Sequence, residues 1–264
     1  MRGDLGIQIY LMRLIDSHCH FDSDAFAPDR EAVFARARAA GVERIISPAT
    51  TAASWPRLIA VRGAYPGVLP AFGLHPMFMA AHHSSHLDAL EKRLSEQRPV
   101  AVGECGLDFQ IDDPDREAQE ALFHAQLALA ARFDLPVIVH ARKSVERAWL
   151  MLREFPTLRG VMHSYSGSLD QAQRFIERGF MLGFGGPATW TRAKRLHRLV
   201  AALPLEAILL ETDAPDQPGE QHRGERNEPA WLPEVAEAVA ALKQLPVETV
   251  AETTTANARK LFRL

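Results

Sequence analysis

Near the N-terminus, Leu14-Ile15-Asp16-Ser17-His18-Cys19-His20-Phe21-Asp22 places two histidines one residue apart at the end of an apolar run. Alternate side chains of an extended strand share a face, so His18 and His20 project together, an arrangement suited to a metal ion. The same pair is equally at home as two polar residues on the wetter face of a strand end, so further ligands have to come from elsewhere. Glu104 follows Val100-Ala101-Val102-Gly103, His140 ends Leu135-Pro136-Val137-Ile138-Val139, His163 follows Gly160-Val161-Met162, and Asp213 closes Ala207-Ile208-Leu209-Leu210-Glu211-Thr212. Four imidazoles and two carboxylates suffice for two divalent ions about 3.5 to 4 Å apart if one carboxylate bridges them. His82, His83 and His86 sit in a polar lead into a helix and are expected to be solvated surface.

Something must gather these residues. Strands are expected at 13–17, 43–47, 68–73, 100–103, 135–140, 160–162, 180–184 and 207–213, with helices at 28–41, 55–64, 115–133, 145–154 and 169–179. Ala, Arg and Glu favour the first helix, and Gly41 stops it. Short apolar strands alternating with amphipathic helices mean buried parallel strands with crossover helices. Eight such strands make a closed (β/α)8 TIM barrel, in which the C-terminal strand ends converge on one active face. All six candidates lie at such ends. Glu104 comes from the middle of the strand order, between the side carrying His18, His20 and Asp213 and the side carrying His140 and His163, which makes it the natural bridge. No Gly/Ser-rich linker divides the chain, so 12–264 is expected to be one barrel domain, with 1–11 an N-terminal extension to which no function is assigned.

Of the 264 residues, 47% are apolar and 24% charged, as in an ordinary globular protein. A net charge of -3 gives no global attraction to polyanions, so any nucleic-acid contact must be local. No apolar run reaches the ~18 residues of a membrane span. Only Cys19 and Cys105 are present, which fits a reducing compartment, and the expected location is the cytoplasm. Both have the opposite strand parity to their neighbouring ligands and should point into packing. Two divalent ions bring four positive charges and Glu104 and Asp213 return two, so the pocket is expected to favour an anionic substrate such as a phosphodiester. Water activated by the metals removes the need for a Ser or Cys nucleophile, and Asp213 is the expected general base.

These motifs resemble the TatD family of metal-dependent hydrolases, within the amidohydrolase-like barrels. The matching stretches are Ile15-Asp16-Ser17-His18-Cys19-His20, Gly73-Leu74-His75-Pro76, Gly103-Glu104-Cys105-Gly106-Leu107-Asp108, Pro136-Val137-Ile138-Val139-His140, His163-Ser164-Tyr165-Ser166-Gly167 and Glu211-Thr212-Asp213-Ala214-Pro215. Arg226-Asn227-Glu228-Pro229 and Asn257-Ala258-Arg259-Lys260-Leu261-Phe262 also look like that family. The resemblance implies a deoxyribonuclease, a 3′ to 5′ exonuclease on single-stranded DNA. It also implies a first metal on His18, His20, Glu104 and Asp213 and a second on Glu104, His140 and His163. Cys105 stands where the family more often has an aliphatic residue or Thr, and Tyr165 where it often has Phe; neither departure removes a ligand.

For substrate contacts, His75 either donates to a phosphate or caps a turn before Pro76. Arg142 and Lys143 follow His140, and Trp190, Arg192, Lys194, Arg195 and Arg198 form a basic cluster with an aromatic that grips a backbone or is a solvated helix face. Met77, Phe78 and Met79 are expected to pack within their loop, the alternative being a wall of the cleft. The ligand set accepts Zn, Mn, Mg or Ni. No obligate protein partner is implied, and a monomer is expected. Two rival readings remain: a deacylase or esterase with the same two metals, and a metal-stabilised binding module without turnover.

Overall fold

The computed structural model describes residues 12–264, so the extension expected over 1–11 lies outside the described residues. The chain alternates strand and helix from β1 (Leu14–Asp16) through α1 (Arg30–Ala39), β2 (Val42–Pro48), α2 (Trp55–Ala64), β3 (Val68–Phe72), α3 (Ser85–Gln97) and β4 (Ala101–Asp108). It continues with α4 (Arg116–Arg132), β5 (Val137–Arg142), α5 (Val145–Leu152), β6 (Gly160–Met162), α6 (Leu169–Glu177), β7 (Phe180–Phe184), α7 (Lys194–Ala202) and β8 (Ile208–Leu210). Two further helices, α8 (Leu232–Lys243) and α9 (Val247–Phe262), complete it.

All eight strands are parallel and ordered β1 to β8 in one sheet, the expected (β/α)8 barrel. Just past β1, the Ser17 N–H donates to Leu210 O of β8 at 3.0 Å and brings the two edges together. Each strand sends one apolar side chain to a common interior cluster: Ile15, Ile46, Ala71, Ala101, Ile138, Val161, Met181 and Leu209. Ala258, Leu261 and Phe262 of α9 join that cluster. The Asn257 amide donates to Leu205 O and Ile208 O, and the Thr255 hydroxyl to Arg13 O. Thus α9 closes the end of the barrel where the strands begin, leaving the other end to the βα loops.

Two strands outrun the sequence reading. β4 continues to Asp108 and pairs with β5 as far as Asp108 opposite Arg142, with a register irregularity between Val102 and Cys105. Glu104 and His140 therefore stand inside strands rather than at their ends. His18 and His20 lie beyond the last residue of β1, so strand alternation alone does not aim them. Their segment is held instead by Cys19 N–H to Ile46 O, His20 N–H to Ala214 O and Asp213 N–H to His18 O.

Helix α4 fixes two of the site-bearing segments. Gln119 and Gln126, seven residues apart, share one helix face, and both are fully buried. Gln119 accepts from Asp108 N–H at 2.8 Å and donates to Asp108 O at 3.0 Å. Gln126 makes the same pair of bonds to Leu74, at 2.8 and 3.0 Å. Each amide satisfies a buried backbone donor and acceptor together, and locks the chain next to His75 and at Asp108.

Candidate metal centre

His18, His20, Glu104, His140, His163 and Asp213 converge at the C-terminal mouth of the barrel. Glu104 is the divider. Its Oε2 lies 3.1 Å from His18 Nε2 and 3.4 Å from His20 Nε2. These imidazole nitrogens are 3.4 Å apart and lie 3.4 and 3.6 Å from Asp213 Oδ1. Its Oε1 lies 3.1 Å from His140 Nδ1 and 3.3 Å from His163 Nε2.

Donors about 2.0 to 2.1 Å from one tetrahedral ion stand about 3.3 Å from each other, which is the spacing around Glu104 Oε2. That oxygen is buried and has no hydrogen-bond partner. An orphaned carboxylate oxygen facing three other donors fits a cation.

Hydrogen bonds at the outer edges decide which atoms of the imidazoles carry protons. His20 Nδ1 faces Pro48 O at 3.1 Å, and a carbonyl accepts, so Nδ1 donates and Nε2 keeps its lone pair. His140 Nε2 lies 3.0 Å from Asp108 Oδ2, so Nε2 donates and Nδ1 faces Glu104 with a lone pair. His163 Nδ1 donates to Glu211 Oε1 at 3.3 Å, which turns Nε2 toward Glu104.

His75 is the reverse case. Its Nδ1 accepts from Met77 N–H at 3.1 Å, so Nε2 carries the hydrogen and donates to Glu104 Oε1 at 3.0 Å. Burial pushes the His75 pKa down to about 4 and keeps the ring neutral. A ring whose inward nitrogen holds a proton steadies the Glu104 carboxylate and has no inward lone pair to offer a metal. Of the two sequence alternatives for His75 the structure shows the turn cap: the ring caps the turn at Met77, and its other nitrogen is engaged by Glu104 rather than free for a phosphate.

Two carboxylates that the sequence reading did not single out complete the surroundings. Asp108 is fully buried and Glu211 nearly so. Glu211 Oε1 also accepts from Ser164 N–H at 2.6 Å. Both were findable: Asp108 and Glu211 sit at even spacing from Glu104 and Asp213, the period that keeps strand side chains on one face. They correct the charge argument. With Glu104, Asp213, Asp108 and Glu211 all present, two divalent ions would be balanced rather than in excess, so anion attraction must come from the rim.

Burial raises Asp213 to about 6, its neighbours His163 and His20 pulling the other way. Burial opposes the charged form of Glu104, but His75, His18 and His163 outweigh it and hold the carboxyl well below its usual range. His163 is raised to about 10, because Glu104, Glu211 and Asp213 together outweigh burial. The Asp213 segment is tied down by Asn227, whose amide donates to Thr212 O at 2.8 Å and to Asp216 O at 2.7 Å. Gln217 donates to Asp213 Oδ2.

Above the centre opens a cleft of about 960 Å³, lined at its mouth by Arg57, Arg142, Arg192, Lys194 and Arg195. Arg57 was not foreseen. Lys143, Trp190 and Arg198 do not line it. Trp190 has its indole N–H on Pro218 O at 3.0 Å and the Arg192 guanidinium over its ring at 4.6 Å. His82, expected on the solvated surface, is half-buried with its Nε2 donating to His75 O at 2.8 Å, while His83 and His86 pair with each other. Cys19 and Cys105 are buried with their sulfurs against Ala214 O and Ile138 O, as packing residues.

Among known proteins, residues 15–263 match the family model described as TatD related DNase. The chain is 42% identical over 258 residues to the Escherichia coli K12 protein named uncharacterized metal-dependent hydrolase YjjV, covering 96% of this chain and 99% of that one. It is 34% identical over 262 residues to the 3′-5′ ssDNA/RNA exonuclease TatD of a Pantoea species, covering 95% of this chain and all (100%) of that one. The crystal structure of the E. coli K12 YjjV, a TatD homolog, superposes with a TM-score of 0.92 at 40% identity, over 96% and 99% of the two chains.

Proposed function

The chain belongs to the TatD-related DNase family of metal-dependent hydrolases, and we propose that it is a two-metal phosphodiesterase removing nucleotides from the 3′ end of single-stranded DNA. The observation that carries the two-metal part is the division of donors between the two oxygens of Glu104. His18, His20, Glu104 and Asp213, whose inward atoms face one another, would hold one divalent cation. Glu104, His140 and His163 would hold the other. When bound, the cations neutralise charge on the phosphate oxygens and make water a better nucleophile at neutral pH.

The chain's own residues do the rest. Asp213, at the inner end of the cleft beside both His18 and His20, takes the proton of the attacking water. Gln217 fixes the rotation of that carboxylate through Oδ2. Asp108 and Glu211 keep the lone pairs of His140 and His163 turned inward. Arg142, Lys194 and Arg195 at the mouth meet the phosphate backbone and supply the attraction that the balanced centre lacks. The choice of DNA is supported by the relatives named as ssDNA/RNA exonucleases, at 34% and 33% identity.

The test is turnover of end-labelled single-stranded DNA beside a panel of carboxylic esters, with Mg or Mn and with chelator. Stepwise loss of nucleotides from the 3′ end, stopped by chelator and abolished in Glu104→Ala and Asp213→Ala, is the expected result. Chelator-sensitive cleavage of an ester alone would instead assign the centre to an acyl hydrolase.

A further inference from the structure

The rim of the cleft carries an apolar pair that metal chemistry does not use. Met77 and Phe78 follow His75 and Pro76 in a short 3-10 segment, Pro76–Ala81. They are 45% and 42% exposed, so they are not packed within their loop as the sequence suggested. Four other large apolar side chains among the described residues are comparably exposed, Leu150, Leu169, Leu245 and Leu264. None of those four lines the cleft, whereas Met77 and Phe78 both do. Scattered surface leucines need no explanation, but two adjacent apolar side chains at the mouth of a polar centre do.

Their position gives one. Phe78 leaves the helical region, at φ -110° and ψ 32°, which breaks the turn at that residue. Its ring meets the His75 ring in a T-shaped contact at 5.7 Å between centroids, and His75 in turn donates to Glu104. Phe78 is thus one imidazole away from the bridging carboxylate, within the reach of a single nucleotide. On the same cleft stand Arg142, whose side chain is 56% exposed and whose nearest carboxylate oxygen, Asp108 Oδ2, is 3.9 Å away, and Lys194.

We propose that Met77 and Phe78 form the ledge on which the nucleobase next to the scissile phosphate stacks, while Arg142 and Lys194 meet the flanking phosphates. The inference rests on the reading of the centre as acting on single-stranded nucleic acid. An aromatic face beside cations is the pattern that binds single strands without sequence preference, because every base has a π-face. The thioether of Met77 adds a polarisable surface that adapts to purine or pyrimidine. A base paired and stacked within a duplex cannot present its face to the ledge, so the ledge selects unpaired ends. The occupant is a nucleobase rather than an acyl chain because the apolar patch is only two side chains and shares its cleft with Arg142 and Lys194, which matches a ring attached to a phosphate.

The experiment compares wild type, Phe78→Ala, Phe78→Trp and Met77→Ala on two single-stranded oligonucleotides. One has an ordinary 3′-terminal nucleotide and the other an abasic tetrahydrofuran residue there. Metal content and circular dichroism are measured on each variant. Phe78→Ala should raise KM for the ordinary strand by roughly tenfold, the scale of one lost base stack, with kcat little changed. It should leave KM for the abasic strand at the wild-type value, and Phe78→Trp should restore tight binding. Equal effects on both strands, or no effect on either, would overturn the ledge while wild-type cleavage still upheld the nuclease reading. A wild-type protein that cleaves neither strand overturns the nuclease reading and the ledge with it. Met77→Ala, which leaves the ring in place, should show a smaller loss in the same direction and supplies the comparison if Phe78→Ala misfolds.

Discussion

Glu104 offers one oxygen to each half of the donor cluster, and that split makes single substitutions separable. His20→Ala should leave one cation per chain, retained by His140 and His163, and His163→Ala should leave one retained by His18, His20 and Asp213. Glu104→Ala should lose both. Metal analysis of the purified variants reads this directly, and two cations in Glu104→Ala would refute the bridge. Protons report on the same centre. With His163 raised to about 10, that ring carries a proton near neutrality when no cation is present. A ligand imidazole must be neutral, so binding displaces the proton. The sign follows: affinity at the second position rises with pH up to about 10 and falls by about tenfold per unit as the pH drops below it. Titration calorimetry in buffers of different ionisation enthalpy measures the released proton, and identical heats in all buffers would refute it.

At the scale of elements, β7 contributes no donor yet is built around the centre. A Cβ at Gly183 would stand 2.2 Å from Glu211 Oε2, so only glycine lets β7 lie against the carboxylate that orients His163. Gly183→Ala should destabilise the fold by about 1 to 3 kcal/mol through overpacking and weaken the second cation position as well. Thermal unfolding and metal titration check the two parts; loss of stability with unchanged metal affinity would separate Glu211 from the centre. Helix α4 plays a comparable part through Gln119 and Gln126. The pattern of alternating strands and helices was legible because buried parallel strands are short apolar runs. The true extents of β4 and β5 were not, since β4 runs on to Asp108, whose backbone is held by Gln119, and β5 runs on to the exposed Arg142, both past the apolar runs that marked them.

The whole molecule separates stability from chemistry along the barrel axis. Phe262 of α9, 3% exposed, fills the interior at the end opposite the donors. Phe262→Ala should cost about 3 to 5 kcal/mol and leave kcat of the folded fraction within about twofold of wild type. Urea unfolding and active-site titration measure both, and a matching collapse of kcat would show that the two ends are coupled. The apolar character of the tail was visible in the sequence, but its use as a plug depends on where residues 257–262 fall in space.

The sequence alone determined the barrel and the six donor candidates, because strand periodicity and the chemistry of His, Asp and Glu are local properties. It also contained Asp108 and Glu211, at the same even spacing as the donors, though nothing local said that they face imidazoles. Only the tertiary structure decided which nitrogen of His20, His140 and His163 is turned inward, since that depends on Pro48, Asp108 and Glu211, 28 to 48 residues away in the chain. It alone set His75 apart from the other imidazoles, removed Trp190 from the cleft and left Met77 and Phe78 exposed there. Hydrogen-bond direction and exposure are properties of neighbours in space, and no spacing rule along the chain contains them.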